Sequence, residues 1–177
     1  MAKRHLPLVQ AASEPDEPIR PPWQWSLFAG GLIMIVWVVL ALLVSPLATV
    51  LLEREVGKWA TPHDLAARLG AAAPAVLARV AIENLSMHVV ALGVACVVVG
   101  VVMGKWSPGR AIVECACAGA GVAVIATAAA VVSGVTTSPD GRDVVLGALV
   151  VLVPWSTGSA ALGARWGRGA KRQLVGP

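Results

Sequence analysis

Residues 26–52 read SLFAGGLIMIVWVVLALLVSPLATVLL, an apolar stretch without a single Lys, Arg, Asp or Glu. As a helix rising 1.5 Å per residue it would be about 40 Å long, more than the roughly 30 Å of hydrocarbon in a bilayer. A segment this oily has lipid as its solvent. Three further runs have the same character: Leu85–Gly104, Ala111–Ser133 and Val144–Ala164. Together they predict an all-α membrane protein with four transmembrane helices, spanning 26–52, 85–104, 111–133 and 144–164.

The totals agree. Of 177 residues, 57% are hydrophobic and 14% charged, against about 45–50% and 25% in soluble domains. The length suits one membrane domain and leaves no room for a separate soluble catalytic domain. The net charge of +4 does not imply nucleic acid as a partner. Its basic residues gather at the ends of the apolar runs, where anionic lipid head groups and membrane orientation account for them. Nor is the N-terminus expected to be a cleavable signal. The first apolar run is far longer than a signal core of about 7–15 residues, and mostly polar sequence precedes it.

Around the spans, residues 1–25 are rich in proline and charge and predict a disordered tail. Pro46 should bend the first span, and Ser45 is the nearby hydroxyl that could re-satisfy a freed carbonyl. The 53–84 connection has structure of its own. Thr61-Pro62-His63-Asp64 is a helix start, with a hydroxyl cap, proline at the first position and an acid in the first turn. The helix should cover Pro62–Leu69 and stop at Gly70, with a second start at Pro74 leading toward the second span. A short amphipathic segment therefore lies between helices 1 and 2, on the membrane surface or capping the bundle. The stretch Trp106-Ser107-Pro108-Gly109 is a tight turn, so the second and third spans form an antiparallel hairpin. Ser138-Pro139-Asp140-Gly141 reads as another turn. Residues 165–177 form a basic tail.

Four spans put the N-tail, the 105–110 turn and the C-tail on one side, with nine Lys and Arg; the other side has five. The positive-inside rule then makes both termini cytoplasmic and 53–84 extracytoplasmic. Trp23, Trp25, Trp106 and Trp166 mark the same cytoplasmic interface.

Small residues at four-residue spacing let helices approach closely in lipid. Cys96, Gly100 and Gly104 form one such row, and Ser159, Gly163 and Gly167 another. The second, third and fourth spans should thus form the tight core, with the first against it. Glu114 is the sole carboxylate inside an apolar run, a costly placement. Arg110, four residues earlier, offers an ion pair; a proton relay or substrate contact is the functional alternative. Pro154, Trp155, Ser156 and Thr157 fall mid-membrane, where a proline-broken helix with hydroxyls is either a tolerated kink or a solute site. Cys96, Cys115 and Cys117 read as small apolar packing residues, and no metal or other cofactor is expected. No nucleotide loop, zinc-hydrolase motif or nucleophile elbow is present.

The segment Gly104-Lys105-Trp106-Ser107-Pro108-Gly109-Arg110 with Glu114 resembles one in small uncharacterised bacterial four-helix inner-membrane proteins. There a glycine-rich helix leads through Ser-Pro-Gly into an alanine-rich helix with an early glutamate. The likeness covers about 30 residues, Gly93 to Ala123. It implies a bacterial inner membrane and brings no activity, cofactor or site. Proline often follows the glutamate in those proteins; here Cys115 does. The function expected is that of a non-catalytic membrane protein: a subunit, scaffold or accessory factor whose partners are lipids, other membrane proteins or itself. The alternative is a small transporter or channel with a polar site around Pro154–Ser159 and Glu114.

Overall fold

The computed structural model describes residues 22–107, 110–132 and 139–175. They form five helices: α1 (Pro22–Val56), α2 (Pro62–Ala71), α3 (Pro74–Trp106), α4 (Ala111–Val132) and α5 (Pro139–Val175). Four of these, all but α2, are long and apolar enough to cross a membrane. The protein is an all-α, multi-pass membrane protein with a short amphipathic helix between its first two spans. The tail up to residue 21, Pro108-Gly109 and the 133–138 stretch lie outside the described residues.

The helices outrun the apolar runs. Residues 74–84 belong to α3 and not to a separate connection, so only 57–73 link α1 to α3. The fall in hydropathy there ends the span. It does not end the helix, because Ala, Leu, Arg and Glu are all good helix formers. The same holds at 165–175, expected as a tail and in fact the last turns of α5. Pro139 opens α5, so Asp140 and Gly141 are helical and not part of a turn. Proline at a first helical position is favourable because its missing N–H would have had no partner there.

Helix α1 stops where Gly57 takes φ +85°, a left-handed conformation that glycine adopts without steric cost. Its N–H reaches the Glu53 carbonyl at 2.9 Å and closes the last turn. Thr61 then caps α2: its hydroxyl accepts from the Asp64 N–H at 3.2 Å. Arg68 bonds Asp64 one turn away at 3.1 Å. Helix α2 runs on to Ala71, past Gly70, and buries none of its residues.

Packing runs in the cyclic order α1–α3–α5–α4, with α1 and α5 on one diagonal. Helices α3 and α4, joined by the shortest connection, touch far less than either touches α5. The reason lies in the small residues. Gly100 lies against the backbone of Ala160 and Ala164; Gly163 lies against that of Val97, and Gly167 against that of Val101. Helices α3 and α5 run parallel in this register, with backbone on backbone. Gly119 of α4 meets the Ser156 carbonyl of α5 in the same way.

Burial is one-sided. Every buried residue described in α1 comes before Met34, in α3 after Val90, in α4 before Ala128 and in α5 after Trp155. All four ranges lie toward the end that carries the two termini. There Ile33, Leu92, Val99, Cys115 and Val122 form a closed core. Toward the other end α1 and α3 part.

Candidate functional site

Two indoles mark the level at which the bundle opens. Trp37 of α1 donates its Nε1–H to the His88 carbonyl at 3.3 Å. Trp155 of α5 donates to the next carbonyl, Val89, at 3.0 Å. Both acceptors are on α3, so α1 and α5 grip it at one height from two sides. Gly93 makes room for the second grip, since a side chain there would collide with the Trp155 ring. An indole N–H in hydrocarbon needs an acceptor, and a helix carbonyl has a second lone pair to give.

Beyond this level α1 and α3 are separated by a cleft. One cavity of about 400 Å³ lies between Trp37, Ala41 and Ser45 of α1 and Asn84, Met87 and His88 of α3. It continues outward into a second of about 270 Å³ that adds Thr49, Leu77 and Glu83. A third, of about 350 Å³, opens on the other side of the seam beyond Val44 and Met87. At the outer end Arg79 of α3 meets Glu55 of α1 at 3.7 Å. The cleft is therefore fastened at both ends, by an indole below and an ion pair above. The hydroxyl of Ser45, the amide of Asn84 and the imidazole of His88 make no hydrogen bond to the protein among the described residues. Ser45 does not repair the carbonyl freed by Pro46; its own carbonyl instead accepts from Thr49 at 3.1 Å.

Hydropathy alone does not show the cleft, since it puts Asn84 outside the second span. A signal was available. Ser45 and Asn84 lie 22 and 21 residues from the Trp23 and Lys105 ends of their helices, at the far membrane boundary, and His88, at 17 residues, lies one turn deeper.

Glu114 is buried near the terminal end, with one carboxylate oxygen accepting from the Ser107 hydroxyl at 3.1 Å. It makes no ion pair with Arg110. Helix α4 begins only at Ala111, and the single Arg110 carbonyl accepts from the N–H groups of both Val113 and Glu114. The spacing rule for side chains assumes that both residues are helical, and the Arg110 side chain instead points out. Among the charges near the neighbouring Cys115 are Glu114 itself and, from another helix, Arg168 of α5.

Around Pro154 each polar group has its own fate. Ser156 is fully buried and donates back to the Leu152 carbonyl at 2.7 Å. Thr157 Oγ1 is buried with no hydrogen-bond partner among the described residues. Trp155 and Ser159 line an apolar groove of about 600 Å³ between α3 and α5. Ser159 is thus set aside from the close contact, where Ala160 takes its expected place beside Gly163. Since Gly119 packs on Ser156, Glu114 lies about 7.5 Å further along α4. The structure does not bring Glu114 and the Pro154–Ser159 group into one site.

Cys96 and Cys115 are buried in the same core, while Cys117 faces outward. Among the described residues no three His, Cys, Asp or Glu side chains come together. No protein-family model, curated protein or solved structure matches this chain.

Proposed function

We propose that this chain is a non-catalytic protein of a bacterial plasma membrane, with both termini cytoplasmic, acting as a subunit, scaffold or accessory factor of a membrane complex. One observation carries this reading: the bundle is locked backbone to backbone at its terminal end and open sideways at the other. The Gly100, Gly104, Gly163 and Gly167 contacts fill the interior, and the buried hydroxyls of Ser156 and Thr127 are bonded to carbonyls of their own helices. Surfaces for binding face outward, into the membrane. Nine Lys and Arg on the terminal side against five on the other support the orientation. The test is purification from membranes in gentle detergent with mass measurement of the intact particle. A stoichiometric complex or a defined oligomer is expected. A lone monomer that conducts a solute in liposomes would overturn the reading.

A second reading, a small transporter or channel, has one observation in its favour, the unpartnered hydroxyl of Thr157. It requires solute flux that falls on Thr157→Val and Glu114→Gln. Flux that persists in both variants would remove those residues from it.

A further inference from the structure

We infer that the α1–α3 cleft is a binding site for one membrane phospholipid, with an acyl chain between the helices and its ester and phosphate groups at the outer end. The site follows from the membrane fold and holds whether or not the chain is part of a larger complex.

Along α1 the cleft runs from Trp37 to Leu52 and along α3 from Leu77 to Val94, about 22–25 Å in each case. Its lining is apolar but for a few groups, the usual make-up of a small-molecule site. A helix about 10 Å across and 22 Å long would occupy roughly 1,700 Å³, whereas the cavities measure 270–400 Å³ each. A partner helix does not fit between α1 and α3; a narrow flexible chain does.

Thr49 and Glu83 also line the outer cavity, and the remaining polar groups follow the order of a phospholipid along the membrane normal. Ser45 and Asn84 lie at the hydrocarbon boundary, where ester carbonyls sit, with His88 one turn deeper, and none of the three side chains has a hydrogen bond to the protein among the described residues. A polar side chain in lipid without a partner is costly. The hydroxyl, amide and imidazole N–H groups can each donate to an ester or phosphate oxygen. Arg79 follows about 7.5 Å further out. Its contact with Glu55 is long, 3.7 Å, and its side chain is 66% exposed, so guanidinium donors remain for a phosphate. Deeper in the cleft only apolar residues such as Leu40, Val90 and Val94 follow.

The test uses the full-length protein, stripped of lipid by detergent and titrated with dioleoylphosphatidylglycerol, the complexes being counted by native mass spectrometry. One tightly held lipid per chain is expected. Ala48→Phe, which fills the cleft, should weaken its retention at least tenfold, and Asn84→Leu with His88→Leu about as much. Gly158→Leu, in the other groove, should leave it unchanged. Circular dichroism checks that the variants fold. Should Ala48→Phe not fold, Ala48→Cys serves in its place, and added lipid should slow its alkylation by N-phenylmaleimide. The proposal is overturned by a wild-type protein that binds no lipid above background, or by retention equal in the filled and native clefts. It is also overturned if Ala48→Cys forms disulfide-linked dimers whose yield lipid does not lower, since the cleft would then hold a second copy of the chain.

Discussion

Adding one methyl group at Gly100 tests the architecture most directly. A Cβ built there lies 2.5 Å from the Ala160 carbonyl oxygen and 2.9 Å from the Ala164 nitrogen. A carbon–oxygen contact relaxes only at about 3.3 Å, so α3 must withdraw from α5 by about 0.8 Å. A gap of that size forfeits a quarter to a half of each dispersion contact it opens. Overpacking of this kind costs about 1–3 kcal/mol, and the gain in helix propensity from Gly to Ala returns up to about 1 kcal/mol. Gly100→Ala should therefore lose about 1–2 kcal/mol, and Gly104→Ala, which meets the Ala164 carbonyl, a similar amount. Gly121 and Gly158 have nothing within 4 Å of an added Cβ, so alanine there should be neutral or slightly stabilising. The four variants can be ranked by equilibrium unfolding in mixed detergent micelles, followed by circular dichroism. The double variant adds a sharper check. Once α3 has moved back for the first methyl, the second finds space, so the pair should cost clearly less than the sum of the two. If Gly100→Ala and Gly104→Ala unfold no more easily than Gly121→Ala, backbone contact is not what holds α3 to α5.

Thr157→Val replaces a buried, unpartnered hydroxyl by a methyl group of the same shape, and should raise stability by about 1 kcal/mol in the same assay; a loss would reveal a partner for Oγ1. Trp155→Phe removes the bond to the Val89 carbonyl and should cost about 1 kcal/mol, while Trp155→Ala also uncovers Gly93 and should cost more; equal stability of the two would show that the ring adds nothing. Among single-cysteine variants, only the one keeping Cys117 should react quickly with a lipid-soluble maleimide in the folded protein, because Cys96 and Cys115 are buried; fast labelling of either buried thiol would contradict the core. Cysteines placed near residue 10 and residue 176 should both be labelled from the cytoplasmic side, and opposite labelling would break the four-span topology.

How much of this the sequence disclosed depends on the kind of force involved. The spans were legible because hydropathy is a local sum, and the Gly100–Gly163 contact because four-residue spacing is a property of one helix. Thr61 announced its cap for the same reason. The ends of α3 and α5 were not legible, since the change that ends a span, from lipid to water, leaves residues such as Arg79 and Arg168 in helices all the same. The Arg110–Glu114 pair misled because the rule needs a helix at both positions, and α4 begins one residue too late. The α1–α3 cleft was hidden most deeply. It is a property of two faces, residues 37–52 and 77–94, and nothing in either alone says how far apart they stand.

That separation has a physical cause in the side chains themselves. At the terminal end α1 offers Ala29 and Gly30 to its neighbours, and a Cβ on Gly30 would come within 4.0 Å of Val122. Here the helix can sit close. Past Trp37 the cleft is lined on α1 by Leu40, Val44 and Leu47 as well as the smaller Ala41, Ser45 and Ala48, and on α3 by Asn84, Met87 and His88 among others. The bulky members stand between the helices as spacers, and Met87 borders all three cavities. In lipid no hydrophobic force drives two apolar faces together; helices close only where backbones can approach. A seam spaced by Leu40, Val44 and Met87 thus stays apart, which leaves room for the lipid chain proposed above. The same reasoning fixes where the cleft can be closed. Small residues at Val44 and Met87 together, in Val44→Ala with Met87→Ala, would let α1 approach α3 there, whereas either change alone leaves the other as a spacer. The double variant should bring Ala48 and Asn84 near enough for a cysteine pair at those positions to cross-link on oxidation. If the pair links as readily with Val44 and Met87 intact, side-chain bulk is not what keeps the seam open.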